Sequence, residues 1–222
     1  MKYLIFDSGP LINFAMNGLL NTLVRLKKHF NGEFLITEEI KNEIIDVPST
    51  IKKYELEALQ IKKLFDEKII TYPNISEKQF QEFRNLKEEI MNKANTTFYN
   101  NNKNIHLIDK GESSVLALYL ILKNSSVIVI DERTTRVLCE NPKNLKKILE
   151  KKLNIEISVR EKNLEYFKKF KIIRSSELAY IAYKKGLIDL ESEKLLEALL
   201  YGLKYRGCSI SEEEIEEIKK SS

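Results

Sequence analysis

A chain of 222 residues, 43% hydrophobic and 32% charged, can bury a full core without staples and is not disordered. Its formal charge of +4 permits a polyanionic partner without demanding one, and its scattered lysine pairs read as solvated helix faces. Cys139 and Cys208, far apart and outside any CxxC pattern, exclude a disulfide framework and a zinc site, and no apolar run approaches the roughly 18 residues of a membrane span.

Asp7 and Pro10 interrupt the first apolar run, so it does not read as a signal peptide, and the expected location is cytoplasmic. "KYLIF" (residues 2–6) predicts a short buried strand. A helical stretch follows, with a break near Asn17-Gly18, and "GEFLIT" predicts a second strand ending at Thr37. Thr37 suits the N-cap of "EEIKNEII", in which Ile40, Ile44 and Ile45 recur at helical spacing. Residues from about 49 to 68 predict one amphipathic helix, "IITYP" a short strand, and "SEKQFQEFRNLKEEIMNKA" a second long charged helix. "NTTFYNNNKN" (95–104) reads as loop. "DKGESSVLALYLILK" is a strongly apolar helix, "SVIVI" (126–130) a fully apolar strand, and "DERTTRVLCEN" a helix ending at Pro142. The remainder reads as helix, short strand, helix, then strand, helix, helix. Strands alternating with helices predict an α/β fold with a parallel sheet covered on both faces.

Ligands of a parallel α/β sheet bind along the edge formed by the carboxyl ends of its strands. Asp7 and Asp131 each follow an apolar strand directly. Glu43 lies in the helix after the second strand, and Glu112 in the first turn of the helix that precedes the Asp131 strand. Converging carboxylates repel one another and resist ionisation, a conflict that hard divalent cations such as Mg²⁺ or Mn²⁺ resolve through oxygen ligands. Each acid also has a plainer role open to it. Asp131 and Ser8 suit helix caps, Asp109 and Glu112 have capping-box spacing, and Glu43 suits a solvated helix face.

In this order, "LIFDSGPLINFA", "ITEEIKNEI", "IDKGESSVLALYLILK", "VIVIDERTTRVLC" and "IIRSSELAYIAYKKGLI" resemble a PIN domain of the prokaryotic subgroup with a G-E-containing helix. The resemblance implies a three-layer α/β/α fold with a parallel sheet of about five strands. It covers residues 1–222 as a single domain with helical insertions at about 49–104 and 142–170. It also implies a Mg²⁺- or Mn²⁺-dependent endoribonuclease acting on single-stranded RNA, with a toxin–antitoxin role and a homodimer as further expectations and no membrane partner. Carried over by position, Asp7, Glu43, Glu112 and Asp131 are the catalytic acids, and Asp7, Glu112 and Asp131 hold the metal. Ser8, Glu132 and Arg136 are expected to support the acids or position substrate, with pairing to Glu132 or Glu140 as the structural alternative for Arg136. Phe98 and Tyr99 are candidates for base stacking. A non-catalytic PIN-like module that binds RNA or protein is the alternative function.

Overall fold

The computed structural model describes residues 2–221. In chain order it runs β1 (Lys2–Phe6), α1 (Ser8–Met16), α2 (Leu20–His29), β2 (Gly32–Leu35) and α3 (Glu38–Lys41), then α4 (Glu55–Asp66) and α5 (Glu77–Thr97). A hairpin of β3 (Phe98–Asn100) and β4 (Lys103–Asn104) leads to α6 (Lys110–Leu122), β5 (Ser126–Val129) and α7 (Arg133–Glu140). Then come α8 (Pro142–Leu153), β6 (Ser158–Val159), α9 (Glu161–Phe167), β7 (Ile172–Ile173), α10 (Ser175–Lys184), α11 (Leu195–Tyr205) and α12 (Glu212–Lys220).

The main sheet is parallel throughout, in the order β2-β1-β5-β7, and helices flank it as in a three-layer α/β/α fold. Its centre is β1 against β5, where Ile5 faces Ile128 and Phe6 faces Val129, all four fully buried. Strands covered on both faces need near-continuous apolar runs, and "LIF" and "IVI" supply them. Of the fifth expected strand only a single parallel bridge forms, Thr71 beside Leu35. Pro73 follows two residues later and has no N–H to continue a ladder.

Two other expectations are corrected. Residues 49–68 are not one helix: a 3₁₀ turn at Pro48–Thr50 precedes α4, which starts only at Glu55. Residues 95–104 are not a loop. They finish α5 and build the β3–β4 hairpin, whose turn residues Asn101 and Asn102 both adopt positive φ (44° and 62°). Asparagine tolerates that conformation, and two-residue hairpin turns require it. The asparagine-rich composition therefore marks a tight turn.

The two expected insertions meet. β6, from the second, pairs antiparallel with β3, from the first, giving a three-stranded sheet β4-β3-β6. Asn100 donates to the Glu156 carbonyl at 2.6 Å, and the Arg160 amide to the Thr97 carbonyl at 2.8 Å. Phe98 is fully buried in this junction, and the Arg160 guanidinium covers the Tyr99 ring at 4.4 Å. Phe98 is therefore closed to a stacking base, which corrects that expectation for Phe98, while one face of the half-buried Tyr99 is taken by Arg160. Among the described residues no helix is long and apolar enough to cross a membrane.

Candidate active site

The site begins where β1 and β5 end. Asp7 continues β1 by donating its amide to the Val129 carbonyl at 2.9 Å, and its own residue is only 4% exposed. It occupies the N-cap position of α1 with extended backbone, and its carboxylate faces the Ser8 and Gly9 amides at the start of that helix. The third residue of α1 is Pro10, which has no N–H, so that position offers the carboxylate no donor.

Asp131, 2% exposed, is fully engaged instead. Asn13 donates to Oδ2 and the Ser175 amide to Oδ1, both at 2.8 Å, so the carboxylate ties the end of β5 to α1 and α10. Asp131 and Asp7 remain neighbours. A Cβ on Gly9 would stand 3.6 Å from the Asp131 Cβ and 3.8 Å from Oδ2 of Asp7.

Glu43 arrives from β2 by an irregular route. Thr37 caps α3 by accepting from the Ile40 amide at 3.3 Å, as the sequence predicts, but the helix then widens into a π turn over Asn42–Asp46. The Val47 amide reaches back to the Asn42 carbonyl at 3.0 Å, closing the wider ring. This turn keeps Ile44 and Ile45 buried while Glu43, half-buried, faces α6. A Cβ on Gly111 would lie 2.6 Å from Oε1 of Glu43, so glycine at that position lets the carboxylate keep its place, and any larger residue would push it aside. The Ser8 hydroxyl is within hydrogen-bonding reach of Glu43 and favours its charged form.

The first turn of α6 completes the group. Asp109 and Glu112 form the capping box their spacing predicts. Oδ1 of Asp109 accepts from the Gly111 and Glu112 amides (2.9 and 3.2 Å), and Oε2 of Glu112 accepts from the Asp109 amide at 2.8 Å. Their carboxyl groups also hydrogen-bond one another, which requires a shared proton. Asn95 of α5 clamps the approach to this turn: its Oδ1 accepts from the Leu107 and Ile108 amides, and its Nδ2 donates to the Ile108 carbonyl.

The electrostatics are those of acids crowded out of water. Burial is the main cause that lifts Asp7 to about 7. The Ser8 and Gly9 amides offset part of the rise, and the charges of Glu43 and Asp109 add to it. Glu43 is raised by burial first and then by Asp109, with the Ser8 hydroxyl opposing. Glu112 reaches about 9 through burial and through the proton it shares with Asp109, and the charge on Asp7 lifts it further. Asp109 is lowered, chiefly by the same hydrogen bond from Glu112, with the charge of exposed His106 helping. Each acid feels at least one of the others.

Glu132 and Arg136 have structural partners of their own. Glu132 caps α7, accepting from the Thr135 amide at 2.7 Å. Arg136 pairs with Glu140 at 2.7 Å and donates to the hydroxyl and carbonyl of Ser209, fastening the chain that leads into α12. The structure thus sets Asp7, Ser8, Glu43 and Glu112 within electrostatic or hydrogen-bonding reach of one another, with Asp131 beside Asp7, and gives Glu132 and Arg136 structural partners. Three contributors escape the sequence reading: Asp109 as a member of the acid group, Gly111 as its clearance, and Asn13 as the partner of Asp131. For Asn13 the available signal was a polar residue inside the apolar run "PLINFA".

Among the described residues no three acidic, histidine or cysteine side chains stand close enough to make a ready cage for a metal ion. The donor chemistry nonetheless fits one. The acids offer only hard oxygen donors, and each proton held at raised pKa is one that a cation would displace.

A parallel α/β sheet with buried acids gathered at its carboxyl edge defines the class: an edge-site protein with an anionic centre. A family model described as a PIN domain matches residues 3–143, well over half of the chain, and the chain belongs to the PIN domain family. PIN domains are generally nucleases and typically use divalent metal ions. The match spans Asp7, Glu43, Asp109, Glu112 and Asp131, while β7 and the helices after it lie beyond it. No curated protein and no solved structure matches the chain.

Proposed function

We propose that this protein is a metal-dependent endoribonuclease that hydrolyses phosphodiester bonds of single-stranded RNA. The observation that carries the reading is the mutual electrostatic influence of Asp7, at the carboxyl end of the central strand, and Glu43, Glu112 and Asp109. Buried acids that raise one another's pKa form a site arranged for positive charge. Asp7, Glu43 and Glu112 would hold Mg²⁺ or Mn²⁺, with Asp131 beside them. Bound there, the ion supplies charge neutralisation at the scissile phosphate and a more acidic water. Ser8 orients Glu43, and Asn13 and the Ser175 amide hold Asp131 in place. Glu43, the most accessible of the three acids nearest Ser8, is the group that accepts a proton from the attacking water.

The same reading treats the chain as one PIN-like domain whose two insertions form a joint arm beside the site. It places the protein in the cytoplasm, as the toxin of a toxin–antitoxin pair acting as a homodimer. Growth arrest on expression, relieved by a co-expressed partner, tests the toxin role, and light scattering tests the dimer.

The deciding experiment is cleavage of a labelled single-stranded RNA with Mn²⁺, with Mg²⁺ and with EDTA, by wild type and by Asp7→Asn. Metal-dependent cutting that the variant lacks supports the proposal. RNA binding without cutting supports a non-catalytic module, a reading favoured by the absence of a ready three-acid cage among the described residues.

A further inference from the structure

One turn from the acid site lies a cavity of about 520 Å³ that the proposed chemistry does not use. Its closeness is fixed at two points. Glu39 on its wall precedes Glu43 by one turn and its charge raises Glu43, and Thr37 shares a 2.7 Å hydrogen bond with Ser114, two residues past Glu112. One wall is the first turn of α3 and the other is the outer face of α5, with Tyr72 after the Thr71 bridge at the rim. The volume suits a ligand of nucleotide size.

The lining has three features. Phe80 and Phe83 stack, with centroids 6.2 Å apart and planes 25° from parallel, while Phe80 stays 39% and Tyr72 43% exposed. Tyr72 is held from behind by Phe65, its ring centroid 5.1 Å away, so each of these rings has one side supported and part of its surface open to the cavity. Lys87 is tied to Glu39 in an ion pair, so those two charges cancel. Glu38 and Arg84 are both exposed and have neither an ion pair nor a hydrogen-bond partner among the described residues.

A slot with open rings, a free carboxylate and a free guanidinium matches a ligand that is flat, carries N–H donors and bears negative charge at its other end. A nucleotide has all three. Among the bases, guanine sets N1–H and the 2-amino group side by side, the spacing that two carboxylate oxygens accept together. We infer that this cavity is a guanine subsite for single-stranded RNA: the base stacks on Phe80 and Tyr72, Glu38 accepts from N1–H and the 2-amino group, and Arg84 holds a phosphate of the same strand. The subsite deepens the ribonuclease reading and rests on it, and it belongs to α5, a helix in the first insertion.

The test is fluorescence anisotropy with full-length Asp7→Asn protein in EDTA, so that the RNA survives. The probes are a labelled octauridine and octamers carrying one central guanosine or one central inosine, which lacks the 2-amino group. The guanosine octamer should bind about tenfold more tightly than octauridine, with inosine between, since two hydrogen bonds go to a charged acceptor. Glu38→Gln should erase that preference, and Arg84→Ala should weaken all three octamers alike. Phe80→Ala should cost at least about fivefold. Glu38 and Arg84 are exposed, so their variants keep the fold, which circular dichroism verifies. Equal affinity for the three octamers, a preference that survives Glu38→Gln, or no binding to any octamer overturns the subsite. Wild-type cleavage with Mn²⁺, run in parallel, separates the two readings. RNA cut without a guanosine preference removes the subsite and leaves the nuclease. A guanosine preference without cutting keeps the subsite and removes the nuclease.

Discussion

Asp7→Asn should stabilise the metal-free protein at neutral and alkaline pH even as it removes cleavage. Asp7 is 4% exposed and titrates near 7 in place of its usual 3.8, chiefly because burial disfavours the charged form. From about pH 4 to about pH 7 the native state keeps this proton while the unfolded chain has lost it. The native state then binds more protons, so the stability present below pH 4 drains away as pH rises through the window. Each pH unit is worth about 1.4 kcal/mol, so about 4 kcal/mol separates the two ends. Asparagine keeps the shape, still faces the Ser8 and Gly9 amides, and has no charge to bury. The stability gap between the two proteins should therefore widen by about 2–3 kcal/mol between pH 5 and pH 8. At about 2–4 °C per kcal/mol for a chain of this size, that is roughly 5–10 °C in melting temperature. Thermal unfolding followed by circular dichroism in EDTA measures it. Adding Mn²⁺ at pH 8 should raise the wild-type melting temperature and leave that of the variant in place. Parallel pH profiles for the two proteins would refute the reasoning, because they would show that the Asp7 charge is not buried at any cost.

Three further outcomes follow from single contacts. Gly111→Ala drives a methyl group into Oε1 of Glu43, so cleavage should fall at least tenfold while the melting temperature moves by only a few degrees; full activity would show that Glu43 has no fixed place in the site. Asn13→Ala leaves the buried Asp131 carboxylate short of a donor and should cost about 1.5–3 kcal/mol in urea unfolding, whereas Asn13→Ser, able to donate through water, should recover part of it. Arg174, with its guanidinium between Glu177 and Glu214, joins α10 to α12; Arg174→Met should cost roughly 2 kcal/mol, since both partners are about a third exposed, and should expose α12 to limited proteolysis before the rest of the chain.

Much of the frame was legible because its causes are local. A central parallel strand must be apolar on both faces, so "LIF" before Asp7 and "IVI" before Asp131 announce strands and mark the acids that follow them. Caps are equally local, which is why Thr37 before α3 and the Asp109–Glu112 box at α6 could be read from spacing alone. The same spacing concealed something, because a capping box satisfies Asp109 completely on paper. Only the approach of Asp7 and Glu43 from other elements turns that cap into part of an acidic centre.

What the sequence by itself determined is the alternation of buried strands and helices, and the acids at strand ends, since both follow from burial and hydrogen bonding within a few residues. Tertiary structure alone decided the rest. The π turn that carries Glu43 toward Gly111 depends on α6 being there to meet it. Asp131 finds Asn13 across 118 positions and Ser175 across 44, distances at which no periodicity can speak. The two insertions become one sheet because β6, too short to stand alone, satisfies its backbone groups on the edge of β3 that β4 leaves open.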